Sequence, residues 1–276
     1  MEMRKKNKLQ NRALNVVTAF IVVASLLPLF WLFLTSIKPQ VIAFALPPKW
    51  IFTPTFQNFV NVFTDASFMK SYSNSLIVSL MTTAISLYFG VLSGYSLARS
   101  KSMASKVMGL WIILVRMASP VMFILPLYMM LRETNLLDTY LGLSLTYLLI
   151  TLPFVTWMMS SFFKGIPEEI EEAALLDGCG RVKVLVRINL PLVLPGIATC
   201  AIFTFISAWN EFLYALIISG RGTRTAPVMV QGFISFEGIN WGELSAVGVF
   251  VTLPVLIVSF IFQKGLVKGL TGGAVK

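Results

Sequence analysis

The chain has 276 residues, 57% of them hydrophobic and only 12% charged, with a formal net charge of +10. A soluble domain carries about 25% charged residues, so this composition, with a mean hydropathy of +0.81, excludes one and specifies an all-α integral membrane protein. Two cysteines, Cys179 and Cys200, and no histidine exclude a disulfide framework and a metal-ligand set, and basic residues dispersed between apolar runs exclude a nucleic-acid patch.

Crossing a hydrocarbon layer near 30 Å thick takes about 20 apolar residues, and six such runs follow one another along the chain. The first, 14–37, comes after the basic start Arg4-Lys5-Lys6. It is too long for a signal peptide and lacks a small-residue cleavage site before Lys38, so it is a retained anchor. Residues 38–70, rich in Pro and Phe, form a cap on the far side. The second run, 71–98, is unusually polar, with Ser73, Asn74, Ser75, Ser79, Thr82, Thr83 and Ser86, and ends in Gly90-x-x-x-Gly94. The glycine pair is a helix-packing device. The hydroxyl-bearing face suits either helix packing or a polar route.

The third run, 107–131, contains Arg116 and two prolines, Pro120 and Pro126, and the fourth, 141–163, contains Pro153. Such prolines are tolerated where neighbouring helices or a wet cavity receive the freed backbone groups. After the fourth run comes a polar segment, 164–197, holding five of the twelve carboxylates: Glu168, Glu169, Glu171, Glu172 and Asp177. Pro167 suits a first helical position, Glu168 and Glu169 favour a helix N-terminus, and Asp177-Gly178 supplies a stop. A second short helix runs from about Arg181 to Asn189 and ends before Pro191. Ile170, Ala173 and Ala174 share one side of the first helix, where small alanines allow it to seat in a cleft. The fifth run, 198–219, carries Glu211, and the sixth is 245–263. Between them, Gly220 to Glu243 mixes glycine, aromatic and polar residues.

Connections on one side of the spans hold 15 of the 22 Lys and Arg, against 6 on the other, with Arg116 inside a span. Basic connections stay in the cytoplasm, which puts both termini and segment 164–197 there. Charges inside a bilayer are functional candidates by default. Arg116 and Glu211 lie about 14 Å and about 20 Å from the cytoplasmic ends of their spans. An ion pair between them and exposure to a solute cavity are both open, and so is snorkelling of Glu211 to an interface.

Glu172-Ala173-Ala174, then Gly178, then Ile188-x-Leu190-Pro191 resembles the EAA loop by which permease subunits of ATP-binding-cassette importers dock onto their ATPases. Ser119-Pro120 with Ile124 to Tyr128, Leu152-Pro153-Phe154 with Trp157, and Trp209 to Phe212 resemble the carbohydrate-uptake branch. Gly269 to Lys276 is similar to the C-terminus of the smaller membrane subunit of maltose-type importers. The resemblance implies a type I importer permease fold of six transmembrane helices. It divides the chain into 1–70 (tail, first helix, outer loop), a five-helix core at 71–263, and a tail at 264–276. It implies ATPase coupling by Glu171, Glu172, Ala173, Ala174, Asp177, Gly178, Ile188, Leu190 and Pro191, and ATPase contact by Gly272, Gly273, Val275 and Lys276. Pathway or gating candidates are Asn74, Ser75, Arg116, Trp209, Asn210 and Glu211. Binding-protein contacts are Gln231, Phe233, Phe236 and Trp241.

The implied partners are a second, homologous permease subunit, two ATP-binding subunits, an extracytoplasmic solute-binding protein, a mono- or oligosaccharide and membrane lipid. The setting is a bacterial or archaeal plasma membrane. The chain has no G-x-x-x-x-G-K-[ST], so ATP and Mg belong on the ATPase partners and this subunit does no covalent chemistry itself. An ion-gradient-driven secondary transporter is the rival; it calls for intramembrane carboxylates, and only Glu211 qualifies. A non-transporting scaffold would leave the EAA pattern unexplained.

Overall fold

The computed structural model describes the backbone of residues 2–235 and 238–271, with side chains at 14–234 and 239–262. Among the described residues the principal helices are α1 (Glu2–Ser36), α2 (Gln57–Thr64), α3 (Ala66–Arg99), α4 (Met103–Met117), α5 (Pro120–Glu133), α6 (Tyr140–Lys164), α7 (Glu168–Leu176), α8 (Arg181–Leu192), α9 (Leu194–Trp209), α10 (Leu213–Ile218) and α11 (Trp241–Thr271), with short turns of helix at Gln40–Ala43, Ala226–Val230 and Gln231–Phe233. In a hairpin, β1 (Ile234–Ser235) pairs antiparallel with β2 (Gly238–Ile239). Four helices are each long and apolar enough to cross a membrane: Leu14–Ser36, Ala66–Arg99, Tyr140–Lys164 and Trp241–Phe262. Two bent pairs, α4 with α5 and α8 with α9, meet the same length and composition requirement as pairs, and counting each as one broken span makes six.

Four expectations are corrected. The third run is two helices meeting at 100° rather than one rod. Ser119 is extended (ψ 131°) and Pro120 sits in the first turn of α5, so Ser119-Pro120 begins a helix where an interrupted one was expected. The fifth run starts earlier, at Leu194, and breaks at residues 210–212 before α10. The helix expected to stop before Pro191 continues to Leu192, with Leu185–Asn189 widened to π geometry. That looser turn lies just ahead of Pro191, whose ring cannot sit against the carbonyl four residues back in a tight helix. At Val193 the chain turns by 75° into α9.

The chain forms two compact units, residues 1–69 with 230–252, and residues 70–229 with 253–276. In the larger unit, α6 is the central post. A Cβ on Gly90 would come 2.6 Å from Val155 Cγ1, and one on Gly94 2.7 Å from Met159 Cβ, so α3 lies against α6 at a separation only glycine permits. Ser86 and Thr151 share a hydrogen bond of 2.7 Å across the same seam. One apolar cluster gathers Tyr147, Ala208, Tyr214 and Ile218; another gathers Val155, Met159, Phe163, Leu185, Val193 and Cys200. Replacing Gly94 by leucine is expected to cost about 1–3 kcal/mol through overpacking, read as a lower unfolding temperature of the detergent-solubilised chain.

In the smaller unit the Asn58 amide donates to Ser36 O at 2.8 Å and Lys38 O at 2.9 Å, closing the turn beyond α1. Asn61 donates to Glu243 Oε1 at 2.7 Å, and Gln40 bonds the backbone at Ile239 and Gly242. The region 38–65 is thereby laced to the start of α11. Phe44 stacks on Trp241 with ring centres 4.4 Å apart.

Candidate coupling site

The acidic segment folds as the sequence dictates locally. Pro167 is the N-cap of α7, and Glu168, Glu169 and Glu171 fill its first turn, where carboxylates meet the positive end of the helix dipole. At the other end Gly178 takes φ +83°. Its N–H donates to Leu175 O and that of Cys179 to Ala174 O, each at 3.0 Å, which is the two-bond Schellman closure. Nothing lies within 4 Å of a Cβ built on Gly178, so the backbone angle alone calls for glycine there.

The two central glutamates have opposite fates. Glu171 is 8% exposed. It accepts hydrogen bonds from Arg99 Nε at 2.7 Å, Asn189 Nδ2 at 2.9 Å and Tyr95 Oη at 3.0 Å, while Arg99 also donates to Ile166 O at 3.1 Å. One carboxylate thus ties α7 to the end of α3 and to α8. Burial by itself raises the Glu171 carboxyl, but the bonds from Arg99 and Tyr95, the Arg99 charge and the Asn189 bond together bring it below its ordinary value. Glu172 is exposed, as are Glu169 and Asp177, and Glu168 meets Lys101 at 3.1 Å on the surface.

The face expected to seat in a partner, Ile170 with Ala173 and Ala174, is split. Ala174 is buried within this chain, whereas Ala173 is exposed. The outward surface consists of Glu169, Glu172 and Ala173, with Leu176 at 88% and Val182 at 76% exposure. Ile188 is half-buried, Leu190 packs against the Phe163 and Leu185 cluster, and Pro191 is exposed. Arg99, Tyr95 and Asn189 were not singled out in the sequence, where Arg99 counted only as a topology charge.

The other candidates are dispersed. Asn74 donates to Gly222 O and Arg224 O, both at 3.0 Å, and accepts from Tyr140 Oη at 2.7 Å. Ser75 accepts from Ala226 N at 2.8 Å. Both side chains therefore clasp segment 220–226. That segment is held from below by Asp138, unremarked in the sequence, which follows α5. Its carboxylate accepts from Gly220 N, Thr223 N and Thr223 Oγ1, each at 2.8 Å, and from Gly222 N at 3.0 Å. Trp209 is buried, edge-on to Tyr72 with ring centres 5.4 Å apart, and Asn210 is exposed at the end of α9.

Arg116 and Glu211 make no ion pair: the two ion pairs among the described residues are Arg99–Glu171 and Lys101–Glu168. Glu211 instead accepts from Tyr214 N at 3.0 Å, capping α10. The Arg116 guanidinium rests over Phe154 and Trp157, 5.4 and 5.6 Å from the ring centres. It lines a cavity of about 350 Å³ with Thr151, Ser207 and Tyr214, at the angle between α4 and α5. Gln231 is exposed, Phe233 lies edge-on to Phe68 at 6.0 Å, and Trp241 is committed to Phe44. Phe236, Gly272, Gly273, Val275 and Lys276 lie outside the described residues.

Residues 86–272 match the family described as Binding-protein-dependent transport system inner membrane component. The chain is 35% identical over 263 residues to the sulfoquinovosyl glycerol transport system permease protein of Agrobacterium fabrum, covering 95% of this chain and 92% of that protein. It is 33% identical over 266 residues to the trehalose transport system permease protein of Mycobacterium tuberculosis, covering 95% and 96%. The fold is similar to a chain of a bacterial ABC transporter that imports the acidic polysaccharide alginate, with a TM-score of 0.76, 22% identity, and 94% of this chain and 97% of that one covered.

Proposed function

The chain belongs to the family of binding-protein-dependent transport system inner membrane components, and from that premise we propose that it is the permease subunit of an ATP-binding-cassette sugar importer. It forms half of the translocation pathway for a mono- or oligosaccharide and couples ATP hydrolysis on other subunits to transport. The observation that carries this reading is the α7–α8 knuckle: its underside is fastened to the spans by Glu171, and its outer face offers exposed carboxylates beside bare Leu176 and Val182. An apolar tip with an acidic rim fits a cleft edged with basic residues on an ATPase surface.

The path of force follows from the bonding. A push on the outer face of α7 reaches α3 through Glu171 and Arg99, reaches α6 through Ile166 and Phe163, and enters α9 through the single-residue corner at Val193. Two of those helices, α6 and α9, bound the cavity at Arg116 through Phe154 and Phe203, so a rigid tilt of the knuckle alters the cavity walls. In this assembly ATP and Mg sit on two ATP-binding partners, a homologous permease completes the pathway, and an extracytoplasmic binding protein delivers the sugar. Both termini and the knuckle face the cytoplasm of a bacterial or archaeal cell, in line with the count of basic residues. The ion-driven alternative is disfavoured because its only candidate carboxylate, Glu211, is engaged as a helix cap.

The test is uptake by proteoliposomes containing the assembled complex. Gly178→Pro demands φ near −65° where the chain has +83° and removes the N–H that closes α7, costing about 3 kcal/mol locally. ATP-dependent uptake is expected to fall roughly tenfold or more, with the protein still in the membrane. Uptake indifferent to ATP and collapsed by an ionophore would overturn the reading.

A further inference from the structure

Lys38 follows the first span and is 1% exposed. Its ammonium lies 4.8 Å from the ring centre of Trp31 and 5.3 Å from that of Phe52. No anion meets it among the described residues. The described carboxylates of the same unit are occupied elsewhere: Glu243 accepts from Asn61, and Asp65 accepts from Ser67 N and Phe68 N. Ring faces return only part of the hydration that a buried ammonium gives up. An adjoining cavity of about 310 Å³ is walled by Trp31, Leu32, Phe44, Leu46 and Trp241, with Lys38 on its lining.

Depth identifies what fills it. The span Leu14–Ser36 has 23 residues and a length of about 34 Å at 1.5 Å per residue, slightly more than the hydrocarbon layer. Lys38 therefore stands just past the far hydrocarbon boundary, where lipid phosphates lie and where Trp31, Trp50 and Trp241 form the aromatic rim usual at that level. The flank of α1 leading to the cavity is apolar and open, with Leu27 at 59% and Phe30 at 58% exposure, which gives acyl chains a track.

We propose that Lys38 and its aromatic enclosure bind the phosphodiester headgroup of a membrane phospholipid, its acyl chains running along α1. Net-anionic headgroups are preferred: the cavity lining includes no carboxylate to receive the ammonium of a zwitterionic lipid, and Lys38 repels it.

The test is native mass spectrometry of the full chain in its complex, released from nanodiscs containing equal phosphatidylglycerol and phosphatidylcholine. The wild type is expected to retain phosphatidylglycerol selectively, and Lys38→Met to lose about tenfold of that retention, with Lys38→Arg keeping it. Equal retention of the two lipids by the wild type overturns the proposal without any variant, as does unchanged retention in Lys38→Met. Displacement of the lipid by millimolar inorganic phosphate would make this a soluble-anion site and overturn the lipid assignment. None of these readouts depends on sugar transport.

Discussion

Replacing Glu171 by alanine is expected to abolish ATP-driven uptake and to lower the unfolding temperature of the subunit, whereas replacing its neighbour Glu172 leaves stability unchanged. Removing the Glu171 carboxylate strands the Arg99 guanidinium, whose side chain is 15% exposed, and deprives Tyr95 and Asn189 of their acceptor. Breaking a buried pair on one side costs roughly 3–5 kcal/mol, and the residual solvent here points to the lower end. Glu172 has no such bonds and faces outward. Its truncation is expected to weaken only the association with the ATPase subunits, measured as the concentration of ATPase needed to restore uptake. Glu171→Gln keeps an acceptor oxygen but not the charge, and should fall between. A Glu171→Ala complex with wild-type uptake would remove the knuckle's fastening from the proposed force path.

Asp138 carries the second large effect, at the opposite end of the spans. Its carboxylate gathers four hydrogen bonds from residues 220–223, and the Gly220 site is so close that a Cβ there would stand 2.6 Å from Asp138 Oδ2. Asp138→Ala leaves three N–H groups and a hydroxyl without their acceptor, at a cost of about 3 kcal/mol, and releases the clasp on segment 220–226. Burial alone raises this carboxyl; the bonds from the Thr223 hydroxyl and the Gly222, Thr223 and Gly220 amides outweigh it and lower the group below its ordinary value. A carboxylate depressed in the folded state stabilises it above the unfolded value, about 3.9, and that contribution vanishes as pH falls through the lower folded value. The wild-type unfolding temperature is therefore expected to drop below about pH 4. Asp138→Asn should be less stable at neutral pH and show a flatter acid limb, measured by thermal unfolding across pH 3–7.

What could be read in advance followed the range of the interactions. The first, second, fourth and sixth spans and the α7 stop at Asp177-Gly178 are local patterns, and they fall within a few residues of where the sequence puts them, with Pro167 one position ahead of the first helical residue. The inward turn of Glu171 was not readable, because four glutamates within five residues of one short helix look alike until Arg99, 72 positions earlier, fixes the helix phase. The bonds of Asn74 and Ser75 to segment 220–226 were hidden for the same reason: those partners lie 148 to 151 positions away. The 100° corner was legible in principle. Ser119-Pro120 is a helix-start pair, but inside an unbroken apolar run length outweighs it, and only the packing of α5 decides. The grouping of residues 230–252 with the N-terminal portion rests on the Asn61–Glu243 and Phe44–Trp241 contacts, which no periodicity announces.

The corner between α4 and α5 has a bearing on assembly. Helices of 15 and 14 residues reach only about 22 Å each, short of the hydrocarbon layer, and the carbonyls that close α4 and the N–H groups that open α5 are main-chain groups that hydrocarbon cannot solvate. Beside this corner Tyr214 Oη donates to Pro120 O at 3.1 Å. That flank of the subunit is consequently barred from the greasy perimeter of the finished transporter: water or another polypeptide has to adjoin it, and the annulus of lipid must begin elsewhere.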